Sequence, residues 1–162
     1  MTEQFRTFRG YTLKARAGET LSPSMEDYLE MAYRLWQDQE YLRVNDLAAA
    51  LSVRPPSASR AVSRLASQGY IDYQPYGLLQ LTEKGKELGK ALLTRHNLVQ
   101  AFLSSLGVKE NLLQDTERIE HLLSAETLDC MAGFVEYAQA NPEWLKQLGT
   151  QAEAEPTEGG PA

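Results

Sequence analysis

The chain has 162 residues, 43% of them hydrophobic, with one cysteine and a formal net charge of minus 6, a length suited to one modest domain or two small ones whose core needs no staples. No run of 18 apolar residues occurs and Met1 to Gly10 holds no apolar leader core, so a membrane span or an obviously exported chain is excluded and the cytoplasm is the expected compartment. Cys130 alone makes neither an intramolecular disulfide nor a CxxC zinc site. The net acidity speaks against a nucleic-acid partner until it is divided along the chain. Residues 1–42 carry 5 basic and 7 acidic groups, 43–96 carry 8 and 4, and 97–162 carry 3 and 11. A basic middle followed by an acidic C-terminal part suggests one anion-binding and one cation-binding function in the same chain.

Residues 1–20 show no sustained period, and the stretch from Thr150 to Ala162 is acidic and low in complexity; both are expected to be weakly ordered or disordered tails. Met25, Tyr28, Leu29, Ala32, Leu35 and Trp36 recur at helical spacing behind Pro23-Ser24 and predict a first amphipathic helix, with Glu26, Asp27, Glu30 and Arg34 on its polar face. A short second helix follows Asn45, with Leu47, Ala48 and Leu51 inward. A third runs from Pro55-Pro56 to Gly69 with Ala58, Ala61, Val62 and Leu65 on one side. Tyr70 to Gln74 and Leu78 to Thr82 are β-prone runs joined by Pro75-Tyr76-Gly77, which predicts a hairpin. A long helix from about Glu83 to Leu106 ends at Gly107. Two or three more fill 109–148, with Leu122, Leu123, Leu128, Met131, Phe134, Val135 and Tyr137 as apolar contacts.

Two short helices joined through Leu51-Ser52-Val53-Arg54, the second followed at once by a hairpin, is the order of a winged helix-turn-helix. The fold class is therefore mainly α, with an N-terminal winged helix-turn-helix in 21–90 and a helical domain in 91–149. The outward face of the third helix carries Ser57, Ser59, Arg60, Ser63, Arg64 and Ser67. Short hydroxyls let the helix backbone approach base edges and phosphates, and arginine offers bidentate donors to guanine or phosphate. The helix N-terminus adds a dipole that favours phosphate, and the wing brings Tyr73, Gln74, Tyr76 and Gln80. The expected contacts to double-stranded DNA are Pro56, Ser57, Ser59, Arg60, Ser63, Arg64 and Tyr76.

The two histidines are His96 and His121. Glu117, Glu120 and His121 stand at i, i+3 and i+4, so three ligand-capable side chains share one helical face; Asp27 and Glu30 stand at i and i+3 on the polar face of the first helix. Carboxylates with imidazole make an oxygen-dominated donor set, suited to Mn(II) or Fe(II) rather than to soft-ligand metals, and four carboxylates leave room for bridging two ions. Each group also has an ordinary structural use. Ser24-Met25-Glu26-Asp27 matches a capping box, Glu117 falls in the first turn after a cap at Asp115, and His96 suits an ordinary surface or interface position.

In the stretches Ser22-Pro-Ser-Met-Glu-Asp-Tyr-Leu-Glu30, Arg43-Val-Asn-Asp-Leu-Ala48, Leu81-Thr-Glu-Lys-Gly85, Arg95-His96 and Ile119-Glu-His-Leu-Leu-Ser124 the chain resembles the diphtheria toxin repressor family of metal-dependent transcriptional repressors, and within it the manganese transport regulator branch. The likeness runs from about Leu21 to Glu143. It implies a homodimer that binds operator DNA to control metal-ion uptake, with two Mn(II) ions per subunit held between the DNA-binding and dimerisation domains, Fe(II) being the alternative. It also implies ligands at Asp27, Glu30, His96, Glu117, Glu120 and His121. The iron-sensing branch resembles this chain with methionine in place of Glu30 and cysteine in place of Glu120, softer donors than the carboxylates here. Cys130 falls at neither place and is expected to be a small buried residue. The resemblance to the manganese branch also implies no SH3-like domain of the kind the longer relatives carry, and the chain departs from the branch in its N-terminal extension of about 20 residues.

No small-molecule substrate is implied. Helical-bundle di-metal enzymes use paired Glu-x-x-His motifs, whereas Glu117-x-x-Glu120-His121 has no second copy, so a regulator is expected rather than an enzyme. A metal-independent winged-helix regulator is the other alternative.

Overall fold

The computed structural model describes residues 21–39, 41–74 and 77–146. The two expected tails and Tyr76 lie outside the described residues. The chain divides into two compact units, Met1–Arg95 and His96–Ala162.

The first unit opens with helix α1 (Pro23–Asp38). Proline is suited to the first helical position, where no intrahelical N–H is needed, and Met25, Tyr28, Leu29, Ala32 and Tyr33 are buried at the expected helical spacing. The helix starts two residues earlier than a capping box at Ser24 requires. Ser22 is the N-cap, its carbonyl accepting from the N–H groups of Met25 (2.8 Å) and Glu26 (3.0 Å), so Ser24 is already inside the first turn. Glu30, expected on the polar face, is buried.

Strand β1 (Leu42–Arg43), helix α2 (Val44–Ala50) and helix α3 (Pro55–Ser67) follow. The connection between α2 and α3 turns at Ser52, whose φ of 54° is left-handed, while the Val53 N–H bonds to the Ala48 carbonyl at 2.9 Å. Ala58, Ala61, Val62 and Leu65 of α3 are all buried, as their spacing predicts. Strands β2 (Ile71–Gln74) and β3 (Leu78–Leu81) form the hairpin, with Tyr73 opposite Leu79. The sheet has a third strand that the sequence reading missed: β1 pairs antiparallel to β3, Leu42 opposite Leu79, in the order β1-β3-β2. Two residues are too short to carry an alternation signal.

Helix α4 (Glu83–Ser105) crosses the boundary between the units. Within the first unit its first turns pack closely on Tyr70 and Tyr33 at two glycines. A Cβ on Gly85 would overlap the Tyr70 carbonyl oxygen, and one on Gly89 would stand 2.5 Å from the Tyr33 Cβ. Gly107 takes a φ of 92° just beyond the end of the helix, the left-handed conformation that favours glycine after a helix C-terminus.

The second unit continues with α5 (Leu112–Ile119), a 3-10 turn over Glu120–Leu122 and α6 (Ala125–Ala140). Asn111 rather than Asp115 is the N-cap of α5, the Asp115 N–H bonding to the Asn111 carbonyl at 2.9 Å. Glu117 is therefore in the body of the helix, not its first turn. Leu98, Val99, Leu128, Ala132, Val135 and Ala138 are buried. Phe102, Phe134, Trp144 and Tyr137 stack edge to face in succession, with centroids 5.1 to 5.7 Å apart. Tyr137 makes its expected apolar contact on Trp144 while about half exposed, whereas Leu122 is exposed, and Cys130, expected to be buried, is exposed on α6. No helix among the described residues is long and apolar enough to cross a membrane.

Candidate metal centre and nucleic-acid face

The potential ligands of the first unit stand on α1. Asp27 is exposed, whereas Glu30 is 6% exposed and accepts from Arg34 through both Nε (3.0 Å) and Nη2 (2.6 Å) onto the single oxygen Oε1. One residue before Asp27, Glu26 accepts from Arg95 Nη2 at 2.7 Å. Arg95 lies on α4 immediately before His96. Sequence reasoning missed this pair. Its trace is a charged residue among Leu92, Leu98 and Val99, the buried side of α4, where a guanidinium requires a partner.

In the second unit His96 is 4% exposed and Glu120 is 2% exposed, and the His96 Nδ1 stands 3.3 Å from Glu120 Oε1. The His121 Nε2 stands 3.9 Å from the same oxygen. One buried carboxylate oxygen is thus shared by two imidazoles from separate elements. The expected single face of Glu117, Glu120 and His121 is not formed as such, because α5 ends at Ile119 and the next three residues wind as a 3-10 turn. Glu120 is buried, whereas Glu117 remains exposed on α5. Among the described residues Glu117 belongs to no group of three ligand atoms close enough to hold one ion.

The chemistry of this donor set fits a divalent metal ion. Burying a carboxylate requires compensation, and imidazole nitrogen beside carboxylate oxygen is a hard-to-borderline set with no sulfur.

On α3 the outward side chains are ordered by intrahelical hydrogen bonds. Arg60 Nε donates to the Pro56 carbonyl (3.3 Å), Ser63 Oγ to the Ser59 carbonyl (2.9 Å) and Ser67 Oγ to the Arg64 carbonyl (2.8 Å). Pro56, Ser59, Arg60, Ser63 and Arg64 are exposed and Ser57 is half-buried. The N-terminus of α3 offers less to phosphate than expected: Pro55 and Pro56 have no N–H, and those of Ser57 and Ala58 bond to the Arg54 carbonyl at 2.9 and 3.3 Å. The wing reaches α3 through Tyr73, whose hydroxyl lies 3.2 Å from Ser63 Oγ.

Comparison with known proteins agrees with this architecture. Residues 20–79 match the model for "Iron dependent repressor, N-terminal DNA binding domain" and residues 82–148 that for "Iron dependent repressor, metal binding and dimerisation domain". The chain is 44% identical over 128 residues to the HTH-type transcriptional regulator MntR of Lysinibacillus sphaericus (strain C3-41), covering 78% of this chain and 92% of that one. It is 41% identical, again over 128 residues, to the MntR of Bacillus subtilis (strain 168), with 78% and 90% covered. Among solved structures it is similar to the manganese regulator SloR (TM-score 0.63, 27% identity, 72% of this chain) and to the metal-dependent transcriptional regulator MtsR (TM-score 0.65, 26% identity, 72% of this chain). It spans 55% of each of those two chains. The winged helix-turn-helix of the first unit and the carboxylate-imidazole cluster of the second are accordingly those of a regulator, and the chain belongs to the iron dependent repressor family.

Proposed function

We propose that this chain is a manganese-responsive transcriptional repressor of the cytoplasm that binds duplex operator DNA as a homodimer and controls metal-ion uptake. The observation that carries the metal reading is the buried Glu120 carboxylate shared by His96 and His121. Residues 21–90 form the DNA-binding domain and 91–149 the metal-binding and dimerisation domain, and Asp27, Glu30, His96, Glu117, Glu120 and His121 supply the ligands for two ions per subunit. Manganese is favoured over iron because Glu30 and Glu120 are carboxylates, hard donors where thioether or thiolate would select softer ions. The relatives named as manganese or MntR regulators support the same choice.

When bound, a divalent cation would supply a positive charge shared among these carboxylates and imidazoles. Glu30, now bonded to Arg34, would turn to the ion, Glu120 would hold His96 through its Oε1 with His121 beside it, and Asp27 would add a carboxylate from the exposed side of α1. Because the proposed donors come from both units, metal binding and the presentation of α3 are linked equilibria, and DNA must tighten metal binding by the factor by which metal tightens DNA binding. Arg60, Arg64 and the α3 hydroxyls then face the major groove, and two copies of α3 in the dimer meet successive turns of the duplex.

The test is DNA binding by the purified full chain, with Mn(II), Fe(II), Zn(II) or Co(II) added in turn. The duplex is the one enriched from a randomised pool. Mn(II) is expected to give the tightest binding at a given free-ion concentration. Equal binding with and without every ion contradicts the metal reading, and a preference for Fe(II) returns the iron alternative.

A further inference from the structure

The exposed hydroxyls at the junction of α3 and the wing allow a proton count. Ser63 has one O–H, and it donates to the Ser59 carbonyl, which can only accept. The hydroxyl of Tyr73, 3.2 Å from the same Ser63 Oγ, must therefore be the donor in that contact. The hydrogens run in one direction, from Tyr73 to Ser63 to the Ser59 carbonyl. Both O–H groups are consumed, and what remains on the outward side is lone pairs, one on Ser63 Oγ and those of Tyr73 Oη. A relay of this kind polarises its members, so the oxygen at the head of the chain, Tyr73 Oη, becomes a better acceptor than an isolated phenol.

The backbone explains why Tyr73 reaches this place. Ile71 and Tyr73 are two residues apart on β2 and so share one face of the sheet. Ile71 fills the core, while Tyr73, further along the strand, is 52% exposed and closes on the outward side of α3.

Two acceptors without a donor are unsuited to phosphate, whose oxygens only accept. In the major groove the matching partners are the exocyclic amino groups, N6 of adenine and N4 of cytosine, whereas guanine O6 and thymine O4 present acceptors. We propose that Ser63 and Tyr73 form a paired acceptor that reads one amino-bearing base in each operator half-site, Tyr73 being the specificity-determining residue. This rests on the reading that α3 faces the operator. Labour on α3 is thereby divided: Arg60 and Arg64 present donors to phosphate or guanine, and the Ser63–Tyr73 pair selects adenine or cytosine against guanine and thymine.

The experiment selects duplexes from a randomised pool with the full Mn(II)-loaded chain and with its Tyr73→Phe and Ser63→Ala variants, both exposed changes whose folding is checked by thermal unfolding. The wild-type motif is expected to hold a position fixed as adenine or cytosine that becomes degenerate in Tyr73→Phe, with about tenfold loss of affinity for the wild-type site and no change toward a scrambled duplex. Ser63→Ala frees the Tyr73 O–H to donate, so the same position is expected to shift toward guanine or thymine. Replacing the selected base by its analogue without the amino group weakens the wild-type chain but not Tyr73→Phe, and which analogue does so tells adenine from cytosine. An unchanged motif in Tyr73→Phe, or guanine or thymine at the affected position in the wild type, overturns the proposal. Arg60→Ala and Arg64→Ala run in parallel: if these also leave binding unchanged, the placement of α3 on DNA has failed, and if they weaken it, only the acceptor pair has.

Discussion

Glu26 and Arg95, 69 positions apart, close a 2.7 Å ion pair in which both side chains are largely withdrawn from solvent. Each directly precedes a proposed ligand, Asp27 on α1 and His96 on α4, so the pair sets the placement of the residues next to it. Arg95→Met leaves the Glu26 carboxylate without this guanidinium and is expected to cost about 2 kcal/mol in urea unfolding of the metal-free protein, with the pair's partial exposure holding it below the cost of a fully buried pair. The exchanged variant, Glu26→Arg with Arg95→Glu, is expected to recover at least half of that loss. A single variant as stable as the parent shows the pair to be a surface contact of little worth.

Gly85 and Gly89 decide how closely the start of α4 packs on Tyr70 and Tyr33 within the first unit. Helix propensity alone favours alanine at both positions, by about 1 kcal/mol each. A Cβ at Gly85 meets the backbone carbonyl of Tyr70, which cannot rotate away, and overpacking of this kind costs about 1–3 kcal/mol or more. Gly85→Ala is therefore expected to destabilise the protein by up to about 2 kcal/mol net and to lower the thermal midpoint by several degrees. A raised midpoint would show that propensity wins and that α4 can shift.

The ligand set makes graded predictions. Glu120→Gln and His96→Ala remove a buried donor and are expected to weaken Mn(II) binding at least tenfold by titration calorimetry, as loss of even an outer-shell partner commonly does. Glu117→Ala, on an exposed side chain, is expected to cost less than either. Glu30→Met is expected to move the preference toward softer ions such as Zn(II) at the expense of Mn(II). Equal losses at Glu117 and Glu120 would mean that the exposed carboxylate is as much a ligand as the buried one.

Much of this was legible in the sequence because it rests on periods and spacings. Ala58, Ala61, Val62 and Leu65 gave the buried side of α3 by their repeat, and Gly69 and Gly107, both with positive φ, marked where helices stop. What was not legible depended on changes of period or on long-range contact. The i, i+3, i+4 spacing of Glu117, Glu120 and His121 assumes one continuous α-helix, and the 3-10 turn after Ile119 breaks that assumption. The two-residue β1 is defined only by its pairing with β3, and the burial of Glu30 only by the packing around α1. The direction of the hydrogen bonds through Ser63 and Tyr73 needed two distances that no spacing supplies.

Arg60 and Arg64 stand one turn apart on the exposed side of α3, Arg60 spending one of its five N–H groups on the Pro56 carbonyl. The remaining donors suit phosphate oxygens, and the short supply of backbone N–H groups at the Pro55-Pro56 start leaves these guanidiniums as the principal donors of that surface. A phosphate contact releases counterions, so each one lost lowers the slope of log affinity against log salt by about 0.9. Arg60→Ala is expected to weaken binding to specific and scrambled duplexes alike and to reduce the slope by about one contact per subunit, measured by fluorescence anisotropy between low and physiological salt. A variant whose slope is unchanged but whose affinity for the selected site alone falls would place Arg60 on a base edge, where guanine is its partner.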